Sequence, residues 1–269
     1  MASGCWCPTT RRWTSSWPGS ASPSSASRRC STPSAWATAM IADSAFLALL
    51  QLADGLFPAG GFAHSFGLET YVQEGRVGDA AGLEAFVVAH LEGGAGPCDA
   101  VAVACATRLA ACGDIAGVVS LDEKLDAMKC VPEFRAASRQ MGRQTLRAAS
   151  ALGDDRFLGE LLGAVEDGLA PGHHAVAFGC ALGRAGADAE RAAAAYLYST
   201  AALLVGAGLR LIALGQVQGQ GILAALRPRM ARLAAQAAAR AVEEMWSFNP
   251  GLELAGIRHA TLDMRLFRS

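Results

Sequence analysis

The chain has 269 residues, 52% of them apolar and 17% charged, with a formal net charge of -1. A chain of this length buries roughly 70–75% of its unfolded surface, so disorder throughout is excluded. The near-zero charge provides no whole-chain field for nucleic acid or an anionic membrane. Aromatic residues are 7% while Ala, Gly and Leu dominate, which favours helices over a β-sandwich. Lys124 and Lys129 are the only lysines, and neither follows a glycine, so no G-x-x-x-x-G-K-[ST] phosphate loop exists. A strand–turn–helix unit with G-x-G-x-x-G spacing is also missing. The chain by itself is not a nucleotide-driven enzyme.

Residues 1–39 differ in composition from the rest. They are crowded with Ser, Thr and Pro, hold four of the five tryptophans without helical or strand spacing, and carry only Arg11, Arg12, Arg28 and Arg29 as charges. A transit peptide, a disordered arm, and upstream sequence ahead of a start at Met40 all fit this composition. We expect a disordered or non-native extension over 1–39 and one all-helical domain over 40–269. The domain carries 19 basic against 24 acidic residues.

From Asp43 the apolar pattern has period 3.6. Asp43 or Ser44 predicts a cap for a helix through Leu52, followed by a glycine-rich loop from Leu56 to Gly67. A helix starting at Asp79 turns Leu83, Phe86, Val87, His90 and Leu91 inward. Further helices are predicted over Asp99–Ala111, Asp114–Met128, Pro132–Leu152, Arg156–Glu166, His173–Leu182, Asp188–Leu214 and Gly221–Trp246. On the third of these, Arg135, Arg139, Arg143 and Arg147 repeat every four residues beside an apolar stripe of Phe134, Met141 and Leu146. This ladder reads as a solvated face or as a surface for an acidic partner; without interleaved aromatics it is a poor RNA-binding face. Ala192–Leu209 has no charge and approaches a membrane span, but its Ala, Gly, Ser and Thr content suits an interior bundle helix. Cys98, Cys105 and Cys112 recur every seven residues along one helical face and read as buried small hydrophobes. With no C-x-x-C pair and no apolar signal core after Met1, the pattern suggests a reducing cytoplasm. The fold class expected is all-α: a single-domain bundle of about ten helices with a C-terminal docking tail.

Four places carry candidate chemistry. His64, Ser65 and Glu69 lie in the glycine-rich loop, where side chains adjacent in sequence diverge and no G-x-S-x-G elbow supports Ser65, so His64 and Glu69 read as groups that cap and orient the loop. His173 and His174 have no partner four residues away and make a poor metal site. Gln216, Gln218 and Gln220 are read as lying between the two long helices, where amides satisfy helix-end groups. The ending, with Arg258, His259, Arg265, Leu266, Phe267 and Arg268, combines apolar anchors with directional donors as a docking segment does. An all-α enzyme using His64 or His173/His174 is the alternative that these residues leave open.

Three stretches together resemble the urease accessory protein UreF family: the run Leu49–Glu69 (LLQLADGLFPAGGFAHSFGLE), Leu214-Gly-Gln-Val-Gln-Gly-Gln220, and the ending from Arg258-His259 to Arg265-Leu-Phe-Arg-Ser269. The Glu133–Gly142 segment also looks like the family's middle helix. The resemblance covers Ala42 to Ser269. It implies an all-helical, dimerising scaffold without a catalytic centre that joins UreD (also called UreH) and recruits the GTPase UreG. The assembly inserts nickel into apo-urease; no cofactor is bound stably, and nickel is handled by the complex. Phe62, His64, Phe66 and Glu69 are then expected to shape a partner-facing opening. Gln216 and Gln220 are expected at a packed interface, and Arg258, His259, Arg265 and Phe267 are expected to secure the tail for partner capture.

Overall fold

The computed structural model describes residues 35–269, with side chains from Ser44 onward. All regular structure among the described residues is helical. The expectations for residues 1–34 lie outside the described residues. α1 spans Ala35–Ala53, starting ahead of the predicted cap. Ala35-Trp-Ala-Thr-Ala-Met-Ile-Ala has no glycine or proline to stop it, and this run of helix-competent residues outweighs the capping preference at Asp43.

After the loop and the short α2 (Leu68–Gln73), the chain builds α3 (Ala80–His90), α4 (Val101–Cys112), α5 (Ile115–Met128), α6 (Pro132–Leu152) and α7 (Arg156–Glu166). It continues through α8 (His174–Arg184), α9 (Ala189–Leu211), α10 (Gln216–Ala239) and α11 (Pro250–His259). Four starts use one device: the carboxylates of Asp79, Asp114, Asp155 and Asp188 accept N–H bonds from Gly82, Gly117, Leu158 and Arg191, three residues on.

Two boundaries differ from the sequence reading. α3 does not end before Gly93 but runs into α4 through a π-helical stretch, Leu91–Ala100, that includes Gly93, Gly94, Gly96 and Pro97. This wider turn frees main-chain oxygens, and the segment before α11 takes them: Phe248 N donates to Gly93 O at 2.8 Å and Trp246 N to Pro97 O at 3.2 Å. Gly93 is required for that approach, since a Cβ there would lie 2.8 Å from Phe248 O. α10 is shifted, beginning at Gln216 and ending at Ala239, and Pro250 opens a further short helix, α11. At N1 its missing N–H breaks no helical bond.

The core lies where α4 packs on α8 and α9, with α10 against α9 and α6 against α8. Ala102, Ala104, Ala193, Ala201 and Ala207 are fully buried, alongside Leu182, Leu197 and Leu204. The stretches Ala80–Cys112 and Ala189–Leu211 are long and apolar enough to cross a membrane, but they form this core: 72% and 56% of their most apolar windows are buried. Cys98 and Cys105 pack inside as expected from their spacing, while Cys112 is exposed at the end of α4.

Candidate functional site

The glycine-rich loop needs left-handed backbone at Gly60 (φ 82°) and Gly67 (φ 87°), and Phe66 also adopts φ 49°. Glycine is required at Gly67 for a second reason: a Cβ would crowd Ala255 Cβ and Leu252 O at 3.2 and 3.3 Å, where the loop rests on α11. This turn aims Ser65 and Phe66 N–H inward, and both donate to Ser269 O, at 2.6 and 3.0 Å. Ser65 Oγ donates to the same oxygen at 2.9 Å, and Arg268 N donates back to Ala63 O at 2.8 Å. His64 Nδ1 is 2.8 Å from Ser269 Oγ. Burial, aided by Arg268, lowers the His64 pKa to about 4, so the ring is neutral.

Glu69 is the hub of the next layer. Only 2% exposed, it accepts from Leu266 N (2.6 Å), Phe267 N (3.1 Å) and His259 Nε2 (2.9 Å). The other ring nitrogen, His259 Nδ1, faces Glu133 Oε2 at 2.8 Å, and Glu133 also takes Arg265 at 3.1 Å. Each nitrogen of the ring thus meets a carboxylate oxygen, one from α2 and one from α6. Thr70 Oγ1 donates to Ala255 O, Gln73 Nε2 to Met264 O, and Arg258 pairs with Glu74 at 3.1 Å. Arg210 of α9 completes the unit, its guanidinium stacked between the rings of Phe62 (3.8 Å) and Phe267 (4.3 Å), with Nη1 donating to Phe62 O.

Loop and tail therefore bind each other. Of the residues read as partner-facing, His64, Glu69, His259 and Phe267 are buried and turn their polar groups into the chain, His64 Nε2 alone having no partner among the described residues. Phe66 is half-buried against Phe134. Phe62 is 77% exposed, and Arg258 and Arg265 keep much of their surface in solvent. The tail is not separable at residue 258, because His259 is the last residue of α11 and wholly buried. Gln216 and Gln220 lie exposed on the first turns of α10 and make no bond to loop or tail. Gln218 does serve a helix end, accepting from Gly215 N at 2.9 Å. Sequence reasoning missed Glu133 and Arg210. Glu133 is a first-turn acid like any other in sequence, and no periodic signal sets Arg210 apart.

His173 and His174 divide their roles. Asp122, buried in α5, accepts from Gly172 N (2.5 Å) and His173 N (3.0 Å) and so pins the start of α8. His173 Nδ1 meets Ser138 Oγ at 3.0 Å and Nε2 meets Asp126 Oδ1 at 2.8 Å. This Ser–His–Asp chain has the composition of a nucleophile relay, but His173 is fully buried, and Arg139 also binds Asp126. It staples α5, α6 and α8 together. The arginine ladder is likewise used internally: Arg139 on Asp126, Arg147 on Glu166 and Arg135 on Lys129 O.

His174 faces a central cavity of about 90 Å³ lined also by His90, Asp99, Lys129, Ser138 and Tyr196. An outer cavity of about 90 Å³, reaching Cys98, Cys130 and Glu253, shares His90, Asp99, Lys129 and Phe134 with it. A third, about 190 Å³, lies under residues 52–62 and shares Met141, His174, Ser199 and Leu203. Burial lowers the pKa of both His90 and His174 to about 4. Among the described residues no three His, Cys, Asp or Glu side chains converge as a metal cage. A larger trough of about 710 Å³ between α5 and α7 has an apolar floor, including Ile115, Val119 and Ala164.

The arrangement defines an all-helical protein whose polar chemistry is spent on fixing a loop and a tail. Residues 77–227 match the model of the UreF family. Over 231 residues the chain is 36% identical to "Urease accessory protein UreF" of Thermosynechococcus vestitus, covering 86% of this chain and 100% of that protein. It is 34% identical over 221 residues to the protein of the same name from Trichodesmium erythraeum, covering 82% and 95%, and 35% identical over 223 residues to that of Methylorubrum populi, covering 83% and 98%. The chain belongs to the UreF family of urease accessory proteins. These relatives are named as accessory proteins rather than catalysts, which fits a protein that is not an enzyme.

Proposed function

We propose that this chain is the non-catalytic scaffold of a nickel-insertion assembly: a cytoplasmic homodimer that joins UreD (UreH), recruits the GTPase UreG and presents them to apo-urease. The observation that carries this reading is the locked loop–tail unit. Its buried polar groups, His64 Nε2 excepted, are satisfied internally, yet it leaves large apolar side chains in solvent: Leu56 is 91% exposed, Phe62 77%, Met264 80% and Leu266 63%. Phe46, Leu47 and Leu50 of α1 are also exposed. Rigid anchors of this kind, held at low entropic cost, are what a protein interface needs at its centre. Nickel is cargo in this reading. The imidazoles, thioethers and thiols along the three cavities suit brief contact with a borderline cation, and their failure to converge favours exchange over storage.

Co-expression of the tagged chain with UreD and UreG tests the reading. Leu56→Asp with Phe62→Asp, and separately Leu266→Asp, should retain the helical circular dichroism spectrum while losing at least tenfold of the co-purified UreD. Capture at the wild-type level by all of these variants would overturn it.

A further inference from the structure

The wall between the central and outer cavities is built from charge. His90, Asp99, Lys129 and Phe134 line both spaces. Lys129 Nζ lies 2.7 Å from Asp99 Oδ1, and the two side chains are only 18% and 13% exposed. Nearly every basic residue of the chain is arginine, yet a lysine stands here. An ammonium is a compact point charge on a flexible stem, whereas a planar guanidinium is not. Lys129 follows α5 outside helical geometry (φ -87°, ψ 88°), and Asp99 lies in the π-helical stretch. On the central side, the ring of His174, a residue 8% exposed, faces the cavity with no hydrogen-bond partner among the described residues. Met141 adds a thioether there, while Met128 and Cys98 line the outer side.

We infer that the Lys129–Asp99 pair is a charge gate between the two cavities: the ammonium bars a divalent cation from the neck, and passage requires Asp99 to exchange Lys129 for the cation. The inference rests on the reading of nickel as cargo. While Asp99 holds the ammonium its carboxylate is engaged, and the positive charge repels a second cation at close range in a poorly solvated space. With the ammonium gone, the neck presents a free carboxylate beside the neutral His90 ring, and a divalent ion can dwell there.

Equilibrium dialysis of the purified full chain against nickel chloride tests this without any partner protein. Lys129→Gln should bind Ni²⁺ at least tenfold more tightly than wild type. Lys129→Arg should stay at the wild-type level, and the Lys129→Gln/Asp99→Asn double variant should return to it. Because Lys129→Gln leaves a buried carboxylate unpaired, thermal unfolding is read in parallel: Ni²⁺ should raise the Tm of Lys129→Gln and leave that of wild type unmoved. Binding by Lys129→Gln no tighter than wild type, or a double variant that still binds tightly, overturns the gate. Failure of the scaffold reading appears instead in the metal-free capture of UreD, so the two failures are distinguishable.

Discussion

The α4–α8 pair and the loop–tail unit are held by opposite means. On α8, Gly179 and Gly183 bring the helix backbone against α4, where a Cβ on Gly179 would lie 2.5 Å from Val103 O. Apolar close packing does the work there, and the histidines near it, His173 and His174, are kept neutral by burial, with pKa values lowered to about 4. In the loop–tail unit, carboxylates, N–H groups and a guanidinium hold an irregular segment; of its two histidines, His64 is kept neutral by burial as in the core, while His259 stands between two carboxylates. A core needs shape, whereas a surface strap without regular structure must satisfy every main-chain group it buries. The strap's bonds are directional and few, so it answers to single substitutions while the core stays intact.

The sharpest way to break this comparison is acid. Four imidazoles, His64, His90, His173 and His174, are lowered from 6.5 to about 4 in the folded chain. Between those values the unfolded chain binds protons that the folded chain does not, so stability is full above 6.5 and lost as pH falls toward 4. Asp122, raised by burial from 3.8 to about 6, acts in the opposite direction over nearly the same window. The four outweigh the one, leaving an uptake of about three protons on unfolding, or up to about 4 kcal/mol per pH unit. Urea midpoints measured between pH 7 and 5 should fall steeply; a flat profile would mean that the buried histidines are not held neutral.

Next in size is Gly183→Val. Its side chain would drive into the Thr107 backbone, and α8 cannot retreat because Asp122 pins its start. The cost should exceed about 3 kcal/mol and appear as a lowered Tm with loss of protection across α4, α8 and α9 together. Unchanged stability would mean that the helix contact is looser than its glycines imply.

Much of the core was legible in the sequence because alanine, glycine and leucine at period 3.6 have one stable use, burial against other helices. The aspartate caps of α3, α5, α7 and α9 fixed those starts almost to the residue. The π-helical join was not legible. Gly93-Gly-Ala-Gly-Pro97 is a breaker by every local rule, and it stays helical only because the main chain at Trp246 and Phe248, some 150 residues on, takes the freed oxygens. The loop and tail stand out in the sequence, and His64 and Glu69 read there as groups that orient the loop; only the family resemblance places them, with His259, on a partner-facing side. Glu69 and His259 are 190 residues apart, and local sequence carries no sign that one satisfies the other.

Within the strap the larger effect belongs to Glu69→Ala. It orphans the N–H groups of Leu266 and Phe267 and one side of His259, at a cost of roughly 2–4 kcal/mol. Hydrogen exchange should show residues 260–269 opening while α4 and α9 keep their protection; equal loss in both regions would merge what the comparison separates.

The smallest change in stability is expected for Phe62→Ala. Phe62 is 77% exposed and contributes one face of the Arg210 stack, so its removal should cost about 0.5–1 kcal/mol. Arg210 keeps its second face on Phe267, and the tail keeps all its hydrogen bonds. If the strap exists to hold apolar anchors still, this nearly silent substitution should reduce UreD capture at least tenfold. Glu69→Ala should reduce capture by a different route, through a loosened tail, and with a temperature dependence that follows tail opening. A Phe62→Ala chain that captures UreD as wild type does, beside a Glu69→Ala chain that fails, would place recognition in the tail backbone and not in the anchors.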